Sequence, residues 1–189
     1  KKIAIYTLSA LVLWSCAREE RLVPIVGVID GEDCFELSIY GQIDQEFATR
    51  ANDNGFCNGD AVGMFMVNYE SGTAGTLKAE GNQADNAQFT YQESTNKWNP
   101  VVPVYYKDGK TNVDIYGYYP YDGSISDVEA YPFEVRQNQR SEGQGGSLGG
   151  YEASDFLWGK GENITPSNNI VDILFKHRMS SIRIALTKG

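Results

Sequence analysis

The 189-residue chain is 41% hydrophobic, enough for one sizeable core, and sets 16 Lys and Arg against 25 Asp and Glu for a formal charge of −9. That balance, with a pI near 4.6, excludes a nucleic-acid partner, because phosphate binding needs clustered Lys and Arg that the sequence does not hold. Twenty glycines and 12 tyrosines, with short apolar runs between Gly, Asn, Asp and Pro, favour an all-β sandwich or barrel over anything helical.

Lys1 and Lys2 lead into the apolar stretch Ile3 to Trp14, followed by Ser15 and Cys16, the pattern of a secretory signal over residues 1–15. The stretch is too short to cross a membrane as a helix. A buried first helix or strand is the alternative, disfavoured because two lysines would feed an apolar run. Leu13-Trp14-Ser15-Cys16 resembles a lipobox, with Trp14 a bulky departure. The resemblance implies a bacterial lipoprotein held to outer-membrane lipid through acylated Cys16, each buried CH₂ contributing about 0.8 kcal/mol. Ala17 is not the aspartate that retains some lipoproteins at the inner membrane, and Glu19 and Glu20 look like an acidic surface-export signal. Cleavage before Cys16 removes two lysines and no acidic residue, moving the formal charge from −9 to −11. Residues 16–27 then read as a tether.

The first strand is expected within Val28 to Tyr40, where Phe35, Leu37 and Ile39 alternate and Gly41 marks an end. A polar loop follows, then a run in which Val62, Met64 and Met66 face a core. Asn52, Asp53, Asn54, Asn58 and Asp60 suggest a calcium loop, but the D-x-[DN]-x-[DN]-G spacing is not met and Asx turns explain the same residues, so no metal is expected. Residues 68–86 read as a surface excursion. Short strands are expected at Ala87 to Tyr91 and Val101 to Tyr106, with Trp98 and Asn99-Pro100 between them. Asp108-Gly109 leads into an aromatic strand over residues 112–121, stopped by Pro120. Tyr116, Tyr118, Tyr119 and Tyr121 fit either a sugar-stacking platform or, the favoured reading, packing across a sheet. Tyr131 to Arg136 is a further strand candidate. Residues 137–154, with five glycines, read as a mobile loop. They do not match G-x-G-x-x-G and no helix follows, which rejects nucleotide binding.

The strongest signal spans residues 155–186. Val171, Ile173, Phe175 and His177 fall on one face of a strand, and Ile182, Ile184 and Leu186 on one face of the next. Arg178 to Ser180 is a turn between them. His177 is the lone histidine; its place on an apolar face favours a hydrogen-bonded core residue over a catalytic base. No nucleophile elbow, H-E-x-x-H, paired Cys-x-x-Cys or P-loop is present, and carboxylate pairs for glycoside hydrolysis have no positive support. The chain is therefore read as a non-enzyme without cofactors.

Several segments in order carry a family resemblance: Thr49-Arg50-Ala51, Asn58 to Gly63, Lys97-Trp98, Tyr116-Gly117-Tyr118-Tyr119-Pro120-Tyr121, Asp155-Phe156-Leu157-Trp158-Gly159, and Val171 to Leu186. Together with the lipobox they resemble the fimbrillin-like lipoproteins, the type V pilus subunits of Gram-negative gut and oral bacteria. The resemblance implies a transthyretin-like antiparallel β-sandwich of about seven or more strands with long loops over residues 28–189. It would be the N-terminal half of a two-domain subunit, so the chain reads as a fragment. It also implies assembly with other pilus subunits by strand addition after proteolysis at Arg50, and a host or glycan surface ligand. Cys34 and Cys57 depart from the family pattern. Paired in an oxidising envelope, they would stabilise the fold by about 3 kcal/mol in the chain-entropy account and tie the removable strand to the body, as suits an anchor more than a shaft subunit. The alternative is a surface glycan-binding outer-membrane lipoprotein, which needs Trp98, Trp158 or Tyr118 exposed in a concave patch.

Overall fold

The computed structural model describes residues 26–29, 32–44, 55–125, 127, 130–140, 148–166 and 170–179. Nine strands form within them: β1 (Val26–Ile29) and β2 (Glu32–Phe35), which pair as a hairpin, then β3 (Ser38–Ile43), β4 (Ala61–Asn68), β5 (Ala84–Gln92), β6 (Lys97–Pro100), β7 (Val113–Tyr119), β8 (Leu157–Ile164) and β9 (Ile170–His177). The expected all-β fold is present, and seven strands close into a barrel in the order β3-β6-β5-β4-β7-β8-β9. Two details differ from an antiparallel sandwich. The sheets join edge to edge, and β3 runs parallel to β9, from Ser38 opposite Ile170 to Ile43 opposite Phe175. Closure removes the sheet edges that would otherwise offer main-chain groups to another chain.

Period-two alternation fills the barrel. β9 turns Val171, Ile173 and Phe175 inward and Ile170, Asp172, Leu174 and Lys176 outward, as the sequence pattern requires. Val62, Met64 and Met66 of β4, and Val113, Ile115 and Tyr119 of β7, join the same core. Phe56, from the loop before β4, packs edge-on against Trp98, Phe175 and Tyr119 with ring centroids 4.8, 5.4 and 5.7 Å away, the arrangement aromatic quadrupoles favour.

The boundaries move where glycine and proline do something other than terminate. Gly41 lies inside β3, where a Cβ would stand 2.8 Å from Trp98 Nε1 and 3.0 Å from a Phe175 ring carbon; glycine there lets two core rings meet the strand backbone. Trp98 sits within β6 and is fully buried, whereas Val101 and Val102 beyond Pro100 are exposed and outside any strand. Tyr105 makes only an isolated bridge, to Glu36. β8 has no apolar alternation to announce it, because its inward positions include Gly159 and Gly161. A Cβ on Gly159 would lie 2.5 Å from Ile173 Cγ2. Residues 131–136 form no strand, and among the described residues of the segment 137–154 a 3-10 turn forms at Glu152–Ser154.

A second apolar cluster lies on the outward side of β4, β7 and β8. Phe65, Tyr118 and Ile125 are buried there, with Leu77, Tyr116, Tyr131, Phe156 and Trp158 packed against them. This cover explains why β4 is buried on both faces from Val62 to Val67.

Candidate functional site

Two places in the barrel stand out. The first is the seam around β3 and β9, strands fully paired with each other but joined to the rest at few points. β3 meets β6 at Ile39 opposite Trp98; just before it, the Leu37 N–H donates to Val104 O at 2.8 Å and the Tyr106 N–H to Phe35 O at 3.0 Å. β9 meets β8 at Leu157 opposite His177 and Trp158 opposite Lys176. At that meeting point His177 Nδ1 donates to Asp155 Oδ1 at 2.8 Å, and both side chains are almost wholly buried. The neighbouring Ser154 hydroxyl accepts from the Arg136 N–H at 2.8 Å and from Gln139 Nε2 at 3.0 Å, so it is held in a turn and not presented as a nucleophile. The geometry favours a structural histidine that fastens the end of β9 to the start of β8. Close by, burial raises the pKa of Asp60, outweighing its bonds from the Cys57 N–H and the Tyr119 hydroxyl. Burial, reinforced by the Asp60, Asp155 and Glu152 carboxylates, pushes the Tyr119 phenol well up.

The second place is the outer cluster, organised by Asp122. Its Oδ1 accepts from the Ser124 N–H (2.8 Å) and hydroxyl (2.7 Å), and its Oδ2 from the Tyr131 hydroxyl at 2.7 Å. Its carbonyl accepts from Asn86 Nδ2 at 2.9 Å, and its N–H donates to the Tyr118 hydroxyl at 3.3 Å. The Tyr131 and Ser124 bonds hold the Asp122 carboxyl below its ordinary value. Burial and the same carboxylate push the Tyr131 phenol up to about 12. One aspartate thus pins the loop after β7 to the barrel wall. Neither Asp122 nor its partners carry a motif, and the only sequence signal was the aromatic density of residues 116–133.

The residues singled out from sequence fare unequally. Cys16 and Arg50 lie outside the described residues, as do Asn52 to Asn54 and the expected strand at Ile182 to Leu186. Cys34 sits in β2 opposite Gly27, its side chain outside the described ones, and Cys57 is exposed. The Asn-Gly-Asp segment closes as a β-turn in which the Asp60 N–H donates to Cys57 O at 3.0 Å and Asp60 Oδ2 accepts from the Cys57 N–H at 2.8 Å; that side chain bonds back three residues, where the Asx turn expected from sequence bonds two residues on. Trp98 and Tyr118 are fully buried, so neither offers a sugar-stacking face. Trp158 is half-buried beside Tyr116, ring centroids 5.9 Å apart, and Lys160 Nζ lies 4.8 Å above the Tyr116 ring and 3.0 Å from Asp114 Oδ2. Among the described residues, no cluster of three or more His, Cys, Asp or Glu is placed to hold a metal, and no helix is long and apolar enough to cross a membrane.

These features define an all-β barrel whose distinctive geometry lies in strand pairing and surface loops. Residues 49–189 match the fimbrillin-like family, and the chain belongs to it. Among solved structures it is similar to one from Bacteroides ovatus described as a candidate cell adhesion protein, with 18% identity and a TM-score of 0.53 over 76% of this chain and 52% of that one. A candidate cell adhesion protein from Bacteroides uniformis follows at 16% identity and a TM-score of 0.49, over 76% and 47% of the two chains. A fimbrial protein from Bacteroides ovatus is similar at 22% identity and a TM-score of 0.39, over 76% and 28%. The chain therefore spans about half or less of the length of these structures. No curated protein matches it.

Proposed function

We propose that the chain is a structural subunit, anchor or tip component of a bacterial surface pilus, assembled by donor-strand exchange and contributing to adhesion without catalysis. The observation that carries this reading is the position of β3. It precedes Arg50 in sequence, places Ile39 and Ile43 in the core, and is the strand whose neighbours are β6 on one side and β9 on the other. A closed barrel has no edge to accept a partner. Removing β3 by cleavage after Arg50 would open an apolar groove with a row of unpaired main-chain groups and alternate side-chain pockets, the surface that strand addition requires. Membership of the fimbrillin-like family supports the assignment. In this reading residues 1–15 direct export, acylated Cys16 holds the protein at the outer membrane, residues 16–27 are the tether, and the barrel stands at the cell surface. A Cys34 to Cys57 disulfide would keep the cleaved strand attached and favour an anchor.

The test is expression of the full chain in a Gram-negative host, treatment with a trypsin-like protease, and addition of purified pilus subunits. The cleaved chain should enter SDS-resistant complexes, and Arg50→Ala should block both cleavage and entry. Gels run without reductant should show the two pieces still linked if the cysteines pair, and a fatty-acid analogue should label the wild type but not Cys16→Ala. Entry of Arg50→Ala chains into complexes at the wild-type level would refute strand exchange through this site.

A further inference from the structure

Beside the barrel, between the loop that follows β7 and the turn before β8, lies a cleft of about 700 Å³. Its size falls in the roughly 300–1,000 Å³ range of small-ligand sites. Tyr121, Tyr131 and Phe133 supply half-buried rings to its wall, while Ser124, Glu134 and Arg136 line it with polar groups.

We infer that this cleft is a binding site for a neutral saccharide. Three properties point there. The first is the combination of ring faces with donors and acceptors of both kinds: a pyranose offers an apolar C–H face for an aromatic ring and a fringe of hydroxyls that both donate and accept. Arg136 donates only, Glu134 accepts only, and Ser124, whose hydroxyl proton is committed to Asp122, accepts, which together match hydroxyl groups better than a purely apolar guest. The second is charge. Within the cleft the Arg136 cation is outnumbered by Asp122 and Glu134, and the whole chain is at −9, so a sialylated or sulfated glycan would be repelled where a neutral one is not.

The third property is rigidity. The wall is preformed, which lowers the ordering cost of binding. The Tyr131 hydroxyl is fixed to Asp122 at 2.7 Å. The Phe133 N–H donates to Tyr131 O at 2.9 Å across Pro132, and the Phe133 ring packs on Phe156 with centroids 4.9 Å apart. On the opposite side the Arg136 N–H is bonded to buried Ser154 at 2.8 Å, so the backbone that carries the guanidinium is anchored to the turn before β8. The site is separate from the β3 seam, and the inference does not depend on strand exchange: a chain that cannot polymerise should still bind.

The experiment is a glycan array carrying neutral, sialylated and sulfated oligosaccharides, probed with the full chain, followed by calorimetric titration of the strongest neutral oligosaccharide. The expected result is selective capture of neutral glycans. Arg136→Gln and Glu134→Gln, both at exposed positions that should leave the melting temperature unchanged, should each weaken binding about tenfold. Val102→Ala, at an exposed position beyond β6 that is part of neither the outer cluster nor the cleft wall, should leave affinity as it is. No retention of any neutral glycan overturns the inference, as does preference for sialylated or sulfated ones. Neutral-glycan binding that Arg136→Gln and Glu134→Gln leave intact would also overturn it, since it would locate the sugar elsewhere.

Discussion

The two apolar clusters are built on different principles. The interior one gathers residues from all seven barrel strands, and Trp98, Phe89 and Phe175 are its largest fully buried members. It is held by packing density and surface removed from water, and a loss anywhere is felt across the barrel. The outer cluster is smaller and draws on a loop. Its tyrosines keep their hydroxyls occupied, Tyr118 with Asn86 and Tyr131 with Asp122, so its order depends on a few directional bonds converging on one aspartate. The interior therefore specifies the fold, whereas the outer cluster shapes a local surface that is free to change without unmaking the barrel.

The sharpest way to break this contrast is to strike each cluster in turn. Phe175→Ala should cost about 3–5 kcal/mol by emptying a site that Trp98, Phe56 and Gly41 all share; chemical denaturation should show one cooperative transition moved to much lower denaturant. An intermediate effect is expected at the joint between β8 and β9. His177→Leu should destabilise by about 1–3 kcal/mol, because Asp155 would remain buried without its donor, and His177→Gln, which keeps a donor, should recover part of that loss in thermal unfolding.

The smallest effect should come from the outer cluster. Asp122→Ala should cost about 1 kcal/mol and leave the main transition cooperative, with faster amide exchange confined to the loop around residues 122–136. Its pH dependence has a definite sign. The folded pKa of Asp122 lies below the ordinary 3.8, so its stabilising contribution is complete above that value and fades as the pH falls through the folded one. The stability gap between wild type and Asp122→Ala should accordingly shrink in acid below about pH 4. A global loss from Asp122→Ala equal to that from Phe175→Ala would erase the distinction between the clusters.

How far the sequence could be read follows the same division. β9 was legible residue by residue, because a strand with one face in the core must alternate. β7 was legible from its aromatic run and the proline that stops it. β8 was not, since glycines at its inward positions leave no hydrophobic pattern, and the reason for them is the neighbouring side chains, Ile173 beside Gly159 and Ile164 and Val171 beside Gly161. Gly41 was misread for the same cause: whether a glycine ends a strand or admits a ring depends on what lies across from it. The aromatic cleft was out of reach because Tyr131 to Arg136 has the composition of a strand, and only its docking against Asp122 and Phe156 makes it a wall.

The amino-acid sequence by itself determined the all-β class, the aromatic strand β7, the inward face of β9, the absence of recognisable catalytic motifs and the fimbrillin-like resemblance. Each of these depends on local periodicity or on residue types in a fixed order along the chain. The tertiary structure alone decided that the sheets close into a barrel, that β3 lies parallel to β9, that Trp98 and Tyr118 are buried, and that one aspartate pins the loop beside a cleft. These depend on contacts between residues far apart in sequence, whose energies no local pattern encodes.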